Sequence, residues 1–255
     1  MTDALPLPGT LSGWLNASGF LGFTPPTESL LAHRLGAFVT PVISWLPRPP
    51  ARDRSLLEFP GGFLLHTGAP NDGFSRTLKQ FARKWADLKV PVWPHLLPRS
   101  GYECAQMVRA LEGLENIGAI ELRLPADAEP AFIEELLQSA LGELPVYVSV
   151  PFLSPWSAWL DLFRLYTVAG IVLSAPRGVL AHVDSHISGR LYGPSLFPQL
   201  LEKLQAFRNC GIPLIAGSGV FSLAQGEIAL RSGASAVQLD ALLWQLLSPT
   251  SPSRS

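Results

Sequence analysis

The chain has few charged residues and no excess of either sign. Of its 255 residues 15% are charged, and 19 Lys and Arg against 20 Asp and Glu leave a formal net charge of −1. No run of Lys or Arg forms a basic stripe, so we expect no nucleic-acid partner. The apolar fraction of 47% provides instead for a large buried core.

Cysteine is equally scarce. Cys104 and Cys210 belong to no CxxC pair, which is typical of plain thiols in a reducing compartment. No apolar run reaches the roughly 18 residues of a membrane span. The first residues lack the basic and apolar segments of a signal peptide. We therefore expect a soluble cytoplasmic protein with no membrane partner, and a homodimer is the candidate assembly.

Short runs of Val, Ile and Leu alternate with helical patterns along the chain. Continuous apolar runs are typical of parallel strands buried on both faces. The pattern predicts an α/β fold, a single-domain (β/α)8 TIM barrel over residues 1–245, followed by a disordered tail over residues 246–255. There are nine strand candidates for eight barrel positions, and we assign residues 63–67 to a loop.

Other segments carry more specific expectations. We expect helices over residues 27–35 and 156–167, and a long loop after Ser174 that contains His182, Asp184, His186 and Arg190. His182 and His186 lie four apart in that loop, but no third ligand follows at fixed spacing, so we expect no metal site.

Two strand–turn–helix units close the predicted barrel, over residues 212–222 and 232–240. In (β/α)8 barrels, two consecutive units near the C-terminus form the usual phosphate site. Gly217 and Gly219 permit a sharp turn, and free N–H groups at the start of the next helix attract an anion. The segment of residues 217–219, the glycine loop, therefore predicts the ligand end of the barrel.

Six motifs follow one another in a familiar order. They are Leu15-Asn-Ala-Ser-Gly19, Gly36-Ala-Phe-Val-Thr40, Gly68-Ala-Pro-Asn-Asp-Gly73, Gly189-Arg-Leu-Tyr-Gly-Pro194, Ala216-Gly-Ser-Gly-Val220 and Gly233-Ala-Ser-Ala-Val-Gln238. Together they resemble the dihydroorotate dehydrogenase family, flavin-dependent (β/α)8 barrels that oxidise dihydroorotate to orotate. The similarity extends over residues 11–244.

The resemblance implies an FMN site and a neighbouring substrate site. The positions that match the family's cofactor-binding residues are Ala17, Ser18, Gly19, Thr40, Ser149, Ser174, Gly189, Arg190, Gly217, Ser218, Gly219 and Asp240. The positions that match its substrate-binding residues are Asn71 and Arg123.

Several of these positions depart from the family pattern. Pro41 and Ser149 stand where the family has Lys, and Arg123 and Ser174 stand where it has Asn. Loss of the Lys removes the charge that stabilises a reduced flavin. No segment matches the family's catalytic loop with its Cys or Ser base, so we assign no catalytic residue. We do not expect orthodox dihydroorotate oxidation.

Ser218 and Asp240 argue against FMN itself. A carboxylate at roughly 4 Å repels each charge of a flavin phosphate by about 4 kcal/mol at an effective dielectric constant near 20. Arg190 would compensate if it bound the phosphate through both of its terminal nitrogens. Alternatively, Asp240 pairs with Arg190 or Arg123 and fills the cofactor's volume.

Three functions therefore remain open. The barrel binds FMN or another phosphorylated small molecule, with non-standard redox activity if any. Alternatively, it is a non-catalytic barrel with a structural or partner-binding role, its pocket filled by Tyr192, Arg123 and Arg190; an open cavity above about 300 Å³ would argue against this. A lyase or isomerase acting on a sugar phosphate ranks last, because no Lys base or pair of acidic residues marks the strand ends.

Two local patterns have alternatives of their own. Glu121 and Arg123 face the same side of one strand, which predicts either an ion pair inside the barrel or a ligand role. Asn71 precedes a helix, where Asn is typical of an N-cap or an Asx turn.

Overall fold

The computed structural model describes residues 11–26, 35–52, 56–182 and 185–247. The strands in these residues are β1 (Leu11–Asn16), β2 (Leu35–Ser44), β3 (Leu56–Phe59), β4 (Gly62–Leu65), β5 (Val92–Leu97), β6 (Ile120–Arg123), β7 (Val146–Pro151), β8 (Gly170–Ser174), β9 (Arg177–His182), β10 (Ser185–Tyr192), β11 (Leu214–Ala216) and β12 (Ala234–Leu239). The helices are α1 (Phe74–Ala86), α2 (Gly101–Glu112), α3 (Pro130–Ser139), α4 (Leu160–Leu165), α5 (Leu196–Phe207), α6 (Leu223–Arg231) and α7 (Leu242–Leu247), with a 3₁₀ turn over Trp156–Trp159.

Eight parallel strands close into a barrel in the order β1, β12, β11, β8, β7, β6, β5, β2. These are the eight strands that the apolar runs predict, and the barrel is confirmed. Outward-facing side chains of the strands pack beneath the helices in one large apolar cluster. The barrel interior has a smaller cluster made by Leu15, Ala37 and Val39. Trp93 packs against it and stacks on Tyr147 with ring centroids 4.3 Å apart.

Local chemistry fixes where several helices begin. Ser100 accepts a hydrogen bond from the backbone N–H of Glu103 at 3.2 Å and caps α2. Pro130 occupies the first position of α3, where its missing N–H costs nothing. In the described residues, no helix has the length and apolar character needed to cross a membrane.

A second sheet lies outside the barrel. It is antiparallel, with strand order β3, β4, β10, β9. The hairpin β3–β4 connects β2 to α1, and the hairpin β9–β10 connects β8 to α5. Both hairpins therefore extend from the C-terminal ends of barrel strands, the end at which (β/α)8 barrels bind their ligands.

This sheet corrects two expectations. Residues 63–67 do not belong to the barrel, as predicted, but the loop assignment is wrong because Gly62–Leu65 is strand β4. The long loop expected after Ser174 is also wrong, since Arg177–His182 and Ser185–Tyr192 are the strands β9 and β10. Strands this short are stabilised by partners distant in sequence, as Leu65 is by Arg190, and no local pattern marks such pairing.

Other boundaries shift modestly. The helix expected over residues 156–167 is a 3₁₀ turn followed by the short helix α4. Of the helix expected over residues 27–35, residues 27–34 lie outside the described residues, and Leu35 already begins β2. The expected tail from residue 246 lies outside them from residue 248, while α7 continues to Leu247.

Candidate functional site

A cavity of about 910 Å³ opens at the C-terminal ends of the barrel strands. This volume falls within the usual range for small-molecule sites, about 300–1,000 Å³. Its walls come from the loop after β1, from β2, β5 and β6, and from strands β4, β9 and β10 of the second sheet. The barrel and the sheet thus form the site together.

Four arginines in the lining define what we call the arginine cavity: Arg48, Arg123, Arg177 and Arg190. Two of them are partly anchored by the protein. Arg48 Nε donates to the carbonyl oxygen of Gly68 at 3.1 Å, and Arg177 donates to Ser188 Oγ at 3.2 Å. Among the described residues, none of the four forms an ion pair with a carboxylate. The lining also contains the carboxylate of Asp127, so the four arginines outnumber the acidic side chains and give the cavity an excess of positive charge.

The crowding of these charges shows at Arg123. The neighbouring charge of Arg190, followed by burial and the charge of Arg177, lowers the pKa of Arg123 to about 9. Such a guanidinium is destabilised by its surroundings, and an anion placed between Arg123 and Arg190 would relieve the repulsion. The electrostatics of the cavity thus favour a negatively charged ligand.

Beneath the arginines, His95 and Glu121 form a buried pair. His95 Nδ1 lies 3.2 Å from Glu121 Oε1, and both side chains are 1% exposed. Gln238 Nε2 donates to the other Glu121 oxygen at 2.7 Å from the opposite side of the barrel. The ion pair considered between Glu121 and Arg123 is not formed, because Glu121 is engaged by His95 and Gln238.

The glycine loop is closed from within. Asp240 Oδ2 accepts hydrogen bonds from Ser218 Oγ at 2.8 Å and from the Gly219 N–H at 3.3 Å. Ser218 and Asp240 are completely buried. The Asp240 carboxylate thus takes a place that a phosphate would need, and the expected pairing of Asp240 with Arg190 or Arg123 is wrong.

The start of the helix after the loop is also satisfied internally. Ser222 Oγ accepts from the Gln225 N–H at 3.2 Å, and Gln225 Oε1 accepts from the Phe221 N–H at 2.7 Å. The pair resembles a capping box, except that the Gln225 side chain accepts from the residue before the N-cap Ser222. The protein itself thus uses the N–H groups of Phe221 and Gln225 at the start of this helix.

No family model matches the chain. Individual proteins are nevertheless similar to it over most of its length. It is 24% identical to the catalytic subunit of dihydroorotate dehydrogenase B (NAD(+)) from Pelobacter propionicus, over 88% of this chain and 81% of that protein. It is also 24% identical to the dihydroorotate dehydrogenase (fumarate) of Trypanosoma cruzi, over 90% of this chain and 83% of that protein.

The chain is a divergent relative of the dihydroorotate dehydrogenases. The fold agrees, since the crystal structure of the Eimeria tenella enzyme in complex with ferulenol superposes with a TM-score of 0.71. That match covers 91% of this chain and 76% of the other at 11% sequence identity, so it bears on the fold alone.

FMN does not fit the residues present at the glycine loop. The loop would hold the flavin phosphate if the resemblance extended to the cofactor, but the Asp240 carboxylate already accepts from Ser218 and Gly219. A second anion there would meet the buried charge of Asp240, and the Ser218 hydroxyl and the Gly219 N–H are already engaged. The loop also lies outside the cavity lining, so the predicted cofactor site is divided into two separate places.

The predicted site residues divide in the same way. Those that line the cavity are Ser18, Gly19, Arg123, Gly189 and Arg190. Those outside the lining are Ala17, Thr40, Asn71, Ser149, Ser174, Gly217, Ser218, Gly219 and Asp240. The hydroxyl groups of Ser149 and Ser174 are buried. That of Ser174 has no hydrogen-bond partner among the described residues, while that of Ser149 lies near enough to Glu121 to oppose the rise in its pKa.

Asn71 is occupied by the fold. Its Oδ1 accepts from the Gly73 N–H at 3.0 Å, which confirms the Asx turn, and its side-chain amide donates to the Ala69 carbonyl and to Ser44. Asn71 is buried and lies outside the cavity lining. These hydrogen bonds show that the Asn71 side chain stabilises the turn before α1.

Sequence reasoning did not place His95 or Arg177 in the site. His95 lies in the middle of an apolar strand, and Arg177 reaches the cavity only through the hairpin β9–β10. Tyr192, expected to fill the pocket with Arg123 and Arg190, stacks instead on Phe63 with ring centroids 5.2 Å apart. All three line an open cavity, so the expectation of a filled pocket is wrong.

Proposed function

We propose that this divergent barrel binds a small anionic molecule, phosphorylated or carrying several carboxylates, in the arginine cavity. The observation that carries the proposal is the set of four arginines around an open volume of about 910 Å³, with no ion-paired carboxylate among the described residues. Guanidinium groups bind phosphate and carboxylate through paired hydrogen bonds, which favours this ligand class.

The proposed ligand site differs from the FMN site that the family resemblance implies. Ligand binding is assigned to the arginine cavity, and the glycine loop is given no part in it because Asp240 occupies its donors. Dihydroorotate oxidation is not proposed, since the family's Lys and Asn positions hold Ser149, Ser174 and Arg123. Dihydroorotate is itself a small carboxylate, and it therefore belongs among the ligands to be compared.

A thermal-unfolding series tests the proposal. Purified protein would be heated alone and with pyrophosphate, citrate, dihydroorotate or FMN, each at the same ionic strength set with sodium chloride. A ligand at 100 times its Kd stabilises the fold by about 2.7 kcal/mol, which corresponds to a rise in Tm of about 5–10 °C for a chain of this size.

We expect a rise of this order with pyrophosphate or citrate, no rise with FMN, and no flavin absorbance in the purified protein. The proposal fails if no anion raises Tm beyond the sodium chloride control. A rise in Tm with FMN alone, accompanied by flavin absorbance, would instead indicate that the glycine loop binds FMN.

A further inference from the structure

His95 is the buried group that anion binding leaves unexplained. It lies in the lining of the arginine cavity, yet its side chain is only 1% exposed. Its backbone N–H donates to Thr40 Oγ1 at 3.1 Å, which fixes the strand beneath the ring. A histidine kept for packing usually has both ring nitrogens satisfied when it is buried. Here neither nitrogen has a well-aligned hydrogen bond among the described residues.

The carboxylate beside His95 is held firmly. Glu121 Oε1 lies 3.2 Å from Nδ1, although off the line of an ideal hydrogen bond, while Gln238 anchors the second oxygen. A carboxylate on one nitrogen of an imidazole fixes the tautomer and leaves the other nitrogen free to take a proton. Nδ1 is the ring nitrogen that faces Glu121, whereas Nε2 is buried and has no hydrogen-bond partner among the described residues, which leaves Nε2 for a bound ligand.

The surrounding charges match this role. Burial, then the charges of Arg123 and Arg190, lower the pKa of His95 well below its ordinary value. The imidazole is therefore neutral near pH 7, but the same burial and charges weaken it as a base. Burial raises the pKa of Glu121, an effect that hydrogen bonding and the two arginines oppose. An anionic ligand beside Arg123 and Arg190 would offset their repulsion and favour the protonated imidazole.

We infer that the arginine cavity is a catalytic site in which His95 is a general base for phosphorylated or carboxylated carbonyl compounds. His95 Nε2 takes the proton from the carbon next to the carbonyl group, and the electron pair of the broken C–H bond moves to the carbonyl oxygen. Arg123, two residues beyond Glu121 on the same face of β6, stabilises the enolate. Return of the proton to the same or the neighbouring carbon completes an exchange or an isomerisation, without an oxidant or a reductant.

This inference rests on the proposed anion binding and adds a reaction class to it. Its test is the incorporation of solvent deuterium in D2O into dihydroxyacetone phosphate, ribose 5-phosphate and oxaloacetate, measured by proton NMR. We expect the wild type to catalyse exchange in at least one compound. His95→Ala should lower that rate at least a hundredfold, the usual minimum effect of a general base, and free imidazole should restore part of it. His186→Gln, an exposed histidine outside the cavity lining, is the matched control and should exchange like the wild type.

Two further results guard the test against misfolding. Binding of pyrophosphate by His95→Ala should stay within about threefold of the wild type, which shows that the cavity is intact. If His95→Ala does not fold, Glu121→Gln serves as a positioning variant, and it should lower the exchange rate at saturating substrate without raising KM.

The inference is overturned if the wild type binds pyrophosphate but exchanges no deuterium above the His95→Ala rate, a result that leaves the proposed anion binding intact. Exchange that persists in His95→Ala or Glu121→Gln would equally contradict the assigned roles. Absence of pyrophosphate binding by the wild type would refute anion binding itself and remove the basis of the inference.

Discussion

Asp240 places an ionisable group in a fully buried position beside the glycine loop. Burial raises the pKa of its carboxyl group from 3.8 to about 6, although hydrogen bonds from Ser218 and from the Gly219 backbone oppose the shift. Between about pH 4 and 6 the folded protein therefore keeps a proton that the unfolded chain has lost. The stability contributed by this group is complete below about pH 4 and falls as the pH rises through 6, by about 3 kcal/mol at most.

This gives a prediction for Asp240→Asn. An amide oxygen accepts from Ser218 and Gly219 as the carboxylate does, but it carries no charge to bury. We expect the stability of the variant relative to the wild type to rise by up to about 3 kcal/mol between pH 4 and pH 8. The amide NH2, at the buried position of Oδ1 that has no partner among the described residues, adds a cost that does not depend on pH. Urea unfolding at pH 4 to 8 measures the difference.

Asp161→Asn provides the control for Asp240→Asn, because the Asp161 side chain is 97% exposed and its partner Arg164 is also at the surface. Its stability relative to the wild type should change little across the same pH range. A stability difference between Asp240→Asn and the wild type that does not depend on pH would show that Asp240 is not the titrating group.

At the scale of secondary structure elements, the second sheet brings Arg177 and Arg190 to the cavity. Strand β4 approaches β10 very closely at Gly62, where an added methyl group would overlap the backbone carbonyl of Tyr192 and meet Gly193 at 3.0 Å. These obstacles are backbone atoms, so the two strands would have to separate. Gly62 is thus required for the pairing that orients β10.

We predict that Gly62→Ala destabilises the protein by about 1–3 kcal/mol, the usual effect of overpacking, and weakens pyrophosphate binding. Gly13→Ala in β1 is the matched control, because the nearest atom to its added methyl group lies at 3.8 Å. Urea unfolding and a binding titration of both variants decide the matter. Equal stability and equal affinity in the two would mean that β4 does not position β10.

The barrel strands could be predicted from the sequence, whereas the hairpin β9–β10 could not. The barrel strands are long apolar runs that are buried on both faces, and all eight are recognisable without a structure. The hairpin β9–β10 is not, since its Gly- and Ser-containing strands are defined by pairing with each other and with β4. Within the site, Arg123 and Arg190 fall on recognisable motif positions. His95 does not, because its role depends on strand register, which places it beside Glu121.

At the scale of the whole molecule, the glycine loop and the arginine cavity are separate. The resemblance to the family predicts that both belong to one cofactor site. The glycine loop is buried and closed by Asp240, whereas the arginine cavity is open and lined by the second sheet as well as by the barrel. The chain keeps the barrel architecture of its relatives. On the proposed function, the four arginines at its ligand end determine binding.

Calorimetric titration of pyrophosphate into wild type and Arg190→Gln tests that claim most directly. Removing one guanidinium partner of a charged ligand costs about 1.5–3 kcal/mol, so we predict an affinity at least tenfold weaker for Arg190→Gln. Arg109→Gln, at an exposed position of α2 outside the cavity lining, should bind like the wild type. Equal affinity in wild type and Arg190→Gln, or no binding by the wild type, would contradict the arginine cavity as the anion site.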